Sequence, residues 1–406
     1  MAKSNVVNAV LKELKENDGI LAMKPAWVYR TFLPSGRRLG LKAKDYTDPV
    51  RGEICERWLV SETQADNEKF VKGEGQSYIN FKTSKENVLL PEALEACSVE
   101  LMGAEYAKKH KGLDRLLKIY DYKTRLFYHI HQRDKDAKKV GRNSKEEAYY
   151  FLDAPLGNHP ETFFGVHPYI VKNKLVEKLF LPYLKNWKGE EILQHAFAFT
   201  NVPGEGFHLP AGLLHAPGTA LTLELQESSD VMAILQAEIE GIKMSKKLLF
   251  KDIAKEDVKK KGEAAVFDQI DWKACADPYF YENHHLAPRP VAGKVSRGAV
   301  EEWVWYNSGR FSGTRITLQK GASYTSNALG VHGLFVWKGE GFVDKFSVAG
   351  QKVSLSGAND EFLITHDKAL KGVAIKNTGS EPMVVFKFFG PDINNSIAPM
   401  LPQYKG

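Results

Sequence analysis

The chain has 406 residues, of which 43% are hydrophobic and 26% charged, with 56 basic against 50 acidic side chains. This length predicts two or three domains with sizeable cores and argues against wholesale disorder. The net charge of +6 is mild and evenly spread, which favours small anionic partners and gives no nucleic-acid signature.

The first twenty residues predict an amphipathic helix and not a signal peptide, because Lys12, Glu13, Lys15 and Glu16 interrupt any apolar run. No stretch approaches the ~20 apolar residues of a membrane span. Cys55, Cys97 and Cys275 are odd in number and far apart, so no disulfide framework follows and a reducing compartment is expected. A soluble cytoplasmic protein without membrane or nucleic-acid partners is the reading.

GLKAK, WLVSE and SYINFK alternate as half-buried strands do. PEALEACSVELMGAEYAKKHKG predicts a helix with Leu94, Cys97, Leu101 and Ala104 on one face and Gly112 near its end. Between Leu116 and Leu225 short β-rich runs predominate. One helical segment interrupts them near 167–187, with Pro182 as a kink or a boundary. Residues 231–262 predict a second helical stretch, whose lysines 259–261 form a solvated end. Residues 263–295 are irregular, and from Glu301 onward EEWVWY, RITLQ, LFVWKG, EFLIT, GVAIKN and MVVFKFF are again strands. No 20–50-residue repeat appears, but two comparable β-rich units do.

The chemistry concentrates in LLKIYDYKTRLFYHIHQRD, residues 116–134. Strand alternation puts Phe127, His129 and His131 on one face, where two imidazoles are able to converge on one ion. In GRNSKEEAYYFLD, Lys145, Glu147, Tyr149 and Phe151 share a face. In GEGFHLPAGLLHAPG a Pro-x-Gly turn at Pro210 and Gly212 precedes His215 and fixes its direction. In LTLELQ, Thr222, Glu224 and Gln226 form a polar face that either meets water or lines a cavity.

Taken together, these pieces resemble the two signature motifs of the cupin superfamily: a His-x-His pair with a following glutamate, then Gly204, Pro210, Gly212 and His215. The resemblance implies a jelly-roll barrel with His129, His131, Glu147 and His215 around a divalent metal. Three imidazoles and a carboxylate suit zinc, iron, manganese, nickel or cobalt.

Within that superfamily the chain resembles the type I mannose-6-phosphate isomerases. GEICERWLVS is similar to their early Glu-x-Trp segment, SKEEAYYFLD to their Lys-x-Glu motif, and LPAGLLHAPGTALTLELQESSD to their second motif. The resemblance implies a zinc-dependent aldose–ketose isomerase acting on a sugar or sugar phosphate, with Lys118, Lys145 and Glu224 at the substrate. It further implies a fold that is mainly β with a helical insertion, made of two cupin barrels. The metal-binding unit spans 1–235, a helical and irregular linker 236–295, and a degenerate cupin 296–406.

Two departures stand out. His129-x-His131 replaces the family's Gln-x-His, and Ile234 stands where the family has an arginine, which implies an altered substrate choice. Arg125, Arg133 and Arg142 are the candidates to substitute. The same ligand set also serves dioxygenases and sugar lyases, or a non-catalytic sugar-binding bicupin. In the second unit, Asn327 and Leu329 occupy the His-x-His positions, and His332 and His366 are candidates for a second pocket.

Overall fold

A computed structural model describes residues 3–82 and 84–405. In it two antiparallel jelly rolls pack side by side. The large sheet of the first runs His285–Leu286, Gly206–Leu209, Glu147–Phe151, Thr222–Glu227, Arg115–Tyr120, Gly52–Leu59 and Ala26–Arg30, with Thr47–Asp48 beside Gly52–Leu59. Its small sheet runs Ala233–Ile234, His129–Ile130, His215–Ala216, Glu161–Phe164 and Phe197–Thr200.

The second unit has a large sheet ordered Ile20–Ala22, Glu361–Ile364, His332–Lys338, Met383–Phe389, Ser312–Leu318, Ala299–Trp305 and Arg289–Ser296. Its small sheet is Ser323–Ser326, Val373–Asn377, Glu340–Val343 and Phe346–Ala349. The two units share one winding: six strands of each large sheet and four of each small sheet are connected in the same order. Each large sheet also borrows an edge strand. Ile20–Ala22 comes from the far N-terminus to pair with Glu361–Ile364, and His285–Leu286 comes from the connecting segment to pair with Gly206–Leu209.

Strand alternation explains how the units join. Leu117, Ile119, Ala148, Leu223 and Leu225 lie on the outer face of the first large sheet and share one core with Trp305, Phe386 and Phe388. Tyr150 sits in that seam, its ring 5.1 Å from Phe386. The alternate residues of the same strands, Lys118, Glu147 and Glu224, face the interior of the first barrel.

One buried ion cluster crosses the seam. Arg57 bonds Asp360 at 2.6 and 2.8 Å and Glu361 at 3.0 Å. Burial raises the Glu361 carboxyl to about 7 despite Arg57 and the Val60 N–H that it accepts. Removing one member of such a group strands the others. Arg57→Met is therefore expected to cost ~3–5 kcal/mol in denaturant unfolding, and a change below 1 kcal/mol would contradict this account.

Several expected helices are shorter or absent. The segment from Pro91 forms three helices, Leu90–Ala96, Ser98–Met102 and Ala104–Lys109, broken at Cys97 and at Gly103. Gly103 has φ +80°, and the His366 ring leaves no room there for a Cβ. The helical insertion divides at 173–175 and not at Pro182, which lies inside Val176–Asn186. Residues 231–262 are not the expected continuous helical stretch: they hold strands at Ala233–Ile234, Glu238–Ile239 and Ile242–Lys243 before a helix at Lys255–Lys261. The run of apolar residues there had no turn signal except Gly241, which reverses the chain at φ +81°. Lys259, Lys260 and Lys261 are exposed at the helix end.

Candidate metal centre

His129 and His215 are direct cross-strand partners, so their imidazoles leave the small sheet on the same face. The turn before His215 sets this register. Gly212 adopts φ +90° and donates its N–H to the His131 carbonyl at 2.8 Å. The motif glycine is required by this φ, and a Cβ there would also sit tightly against Arg133 and the Asp271 backbone N–H at 3.0–3.1 Å.

The ligating atoms of His129, His131 and His215 lie within 4.8 Å of one another. Each ring is oriented by its other nitrogen, through Nδ1–H bonds to the carbonyls of Phe127 at 2.7 Å, Val231 at 2.7 Å and Leu213 at 2.9 Å. That tautomer leaves all three Nε2 lone pairs pointing inward. Burial, and then neighbouring imidazoles, hold His129 well below the ordinary histidine range. Burial and Lys145 bring His131 to about 3. Both rings are neutral at physiological pH.

Glu147 completes the group from the opposite sheet, 3.1 Å from Nε2 of both His131 and His215. Burial opposes its ionisation, but the Lys145 ammonium beside it outweighs burial and keeps it well below the carboxylate range. The His215 Nε2 is buried without a hydrogen-bond partner. The neutral His131 Nε2 faces a Glu147 oxygen at 3.1 Å, and a lone pair so placed repels the carboxylate unless a cation lies between them. Three imidazoles, one carboxylate and the unbonded His215 nitrogen fit a divalent metal.

Behind these ligands runs a buried chain of alternating charge. Lys145 lies 2.7 Å from Glu147, 2.9 Å from the His131 Nε2 and 3.0 Å from Glu224. Its ammonium stands in for part of the positive charge that the ligand set calls for. Lys118 lies 3.1 Å from Glu224 and 3.8 Å from Glu56. Arg30 then grips Glu56 at 3.0 and 3.2 Å and Asp230 at 3.3 Å. Glu224, 3% exposed, has its carboxyl raised by burial and by Glu147, against the two ammonium groups. Glu56 goes the other way, because Arg30 and Lys118 overcome burial and lower it to about 2.

All seven residues singled out from the sequence thus meet in one site. Thr222, Glu224 and Gln226 are all buried, on the face of the strand opposite Leu223 and Leu225. Ile234 is opposite His129 in the small sheet and therefore shares the inward face, so an apolar side chain stands beside the imidazoles. The three arginines considered as substitutes are held elsewhere: Arg125 by Gln236 and Glu190, Arg133 by Asp136 and the Asp268 carbonyl, and Arg142 by Asp66.

Arg30 and Asp230 escaped the sequence reading: Arg30 lies in no quoted motif, and Asp230 closes the LPAGLLHAPGTALTLELQESSD segment without a spacing that singles it out. Glu56 carried a signal in its Glu-x-Trp spacing, and the Trp58 indole N–H does donate to it at 2.7 Å. The two histidines raised for a second pocket remain apart in their contacts. His332 donates to Gly330 and packs on Phe389, while His366 begins a helix beside Asp367.

No family model and no curated protein matches the chain. Solved structures do. Mannose 6-phosphate isomerase from Bacillus subtilis is 16% identical over 91% of this chain and 99% of its own, with a TM-score of 0.57. The chain has the cupin fold of the mannose-6-phosphate isomerases. A point variant of phosphomannose isomerase from Salmonella typhimurium aligns over the same shares at 14% identity and TM-score 0.58. A mannose 6-phosphate isomerase bound with zinc and yttrium also aligns at 14% identity and 0.58. Among the described residues, no helix is long and apolar enough to cross a membrane.

Proposed function

We propose that the protein is a metal-dependent aldose–ketose isomerase acting on a sugar or sugar phosphate. The observation that carries this reading is the convergence of three oriented imidazoles and Glu147 beside a carboxylate–lysine pair between the two sheets of one jelly roll. His129, His131, Glu147 and His215 would hold the metal, with zinc the first candidate given the zinc-bound structure of like fold. When bound, such an ion polarises a sugar oxygen as a Lewis acid.

The isomerisation moves one hydrogen from C2 to C1 and one hydroxyl proton from O2 to O1. Glu224 is the group for the carbon transfer. Its burial raises its proton affinity, so it takes the C2 proton as a carboxylate and returns it to C1 as an acid. Lys145 and Lys118 flank it at 3.0 and 3.1 Å and supply positive charge where negative charge grows on the sugar oxygens. Every ammonium group named here already faces a carboxylate. Together with Ile234 beside His129, this favours a substrate whose recognition differs from that of the family's usual sugar phosphate.

The test is elemental analysis of purified protein, followed by a screen of paired aldoses and ketoses, phosphorylated and free, with solvent-deuterium incorporation at C1 and C2 as the readout. Metal near one equivalent and deuterium uptake with at least one pair are expected. Iron with oxygen consumption and no exchange would replace this reading with an oxygenase.

A further inference from the structure

The second barrel contains a cavity of about 250 Å³ at its open end, in the position that the metal site takes in the first. Its floor is a built polar group. Lys387, 2% exposed, lies 2.7 Å from Glu301 and donates to the Asn327 carbonyl at 3.3 Å. Glu301 also accepts from Thr314 at 2.8 Å and Tyr324 at 2.6 Å, so three donors already hold it. The ammonium has three hydrogens and two of these partners, so one donor is left for the cavity.

The matching winding of the two units sharpens the contrast. The second strand of each large sheet carries an inward carboxylate, Glu56 and Glu301. The last strand carries Glu224 in the first unit and Lys387 in the second. A cation thus stands where the first barrel has a carboxylate, and Lys294 on the wall adds another. Among the described residues no carboxylate lies within ion-pair distance of Lys294. One carboxylate against two ammonium groups leaves a net charge of +1 in the cavity.

The rest of the lining is apolar. Trp303 and Phe389 form aromatic walls, and Leu329, Leu370 and Ile397 form a rim in which each is about half exposed. Half-exposed aliphatic side chains around a concave, positively charged floor suit a ligand with an apolar body and one anionic head.

We infer that the second barrel is a binding site for a small amphiphilic monocarboxylate, its head on Lys387 and its body between Trp303, Phe389 and the aliphatic rim. This site is independent of the metal centre, and its ligand needs no metal.

Calorimetric titration of the full-length protein with hexanoate and phenylacetate, against hexanol and glucose, tests it. Saturable binding of the carboxylates, with hexanol and glucose at least tenfold weaker, is expected. Lys387→Gln should weaken carboxylate binding at least tenfold. Because that change strands Glu301, Ala328→Phe provides a second arm, filling the cavity from a half-buried position without touching the ion pair, and should abolish binding while metal content stays unchanged. Absence of carboxylate binding, equal binding of hexanol, preference for glucose, or undiminished binding in Ala328→Phe would each overturn the inference.

Discussion

His215→Ala is expected to lower metal affinity by at least ~100-fold, since loss of a direct ligand exceeds the 10–100-fold cost of losing a supporting contact. The reason lies in how completely the ring is committed. Its Nδ1–H is fixed on the Leu213 carbonyl, its Nε2 has no hydrogen-bond partner, and its ring centroid lies 4.1 Å from that of His129. Alanine leaves a hole that the backbone cannot fill, because the Gly212 turn is bonded to the His131 carbonyl and keeps the strand in place. Folding should persist with a modest loss of stability. His208→Ala is the control: that imidazole is engaged by Glu146 at 3.0 Å, and its loss should leave metal content intact. Full metal occupancy in His215→Ala would remove it from the ligand set.

Glu224→Gln is expected to keep the metal and to lower proton exchange at the substrate carbon by about 10²–10⁴-fold. Glutamine preserves the volume and one acceptor oxygen of the side chain. Lys145 keeps Glu147 at 2.7 Å and Lys118 keeps Glu56 at 3.8 Å, so neither ammonium is left without a carboxylate. What is lost is a group able to hold and release a proton in a site that water scarcely reaches. Equal metal content with unchanged deuterium uptake would show that another group moves the proton. Loss of both metal and exchange would instead assign Glu224 to holding the ligands.

The convergence of His129, His131, Glu147 and His215 was legible because their geometry is local. His-x-His in a strand, a glutamate on the next inward strand and a Pro-x-Gly turn before the last histidine each state a direction within a few residues. The far end of the charge chain was not. Arg30 reaches Asp230 across two hundred positions of sequence, and no spacing rule relates them. The stretch after Glu224 misled for a different reason. Its apolar residues fit a helical period, yet Ala233–Ile234 is taken into the small sheet by pairing with His129, a long-range contact that overrides local preference. The two units themselves were visible as β-rich text, whereas their common winding emerged only from strand order.

The borrowed edge strands bear on how the chain is made. During synthesis from the N-terminus, Ile20–Ala22 emerges early, but its partner Glu361–Ile364 appears only when almost the whole chain has been produced. Until then one side of this short apolar strand has unpaired backbone and must be kept from other edges, while Asn80 serves the Ala22 carbonyl on the other side. Closing so distant a pairing makes this a slow folder of high contact order. A ribosome-stalled fragment lacking residues 357–406 should remain open to protease near residue 20.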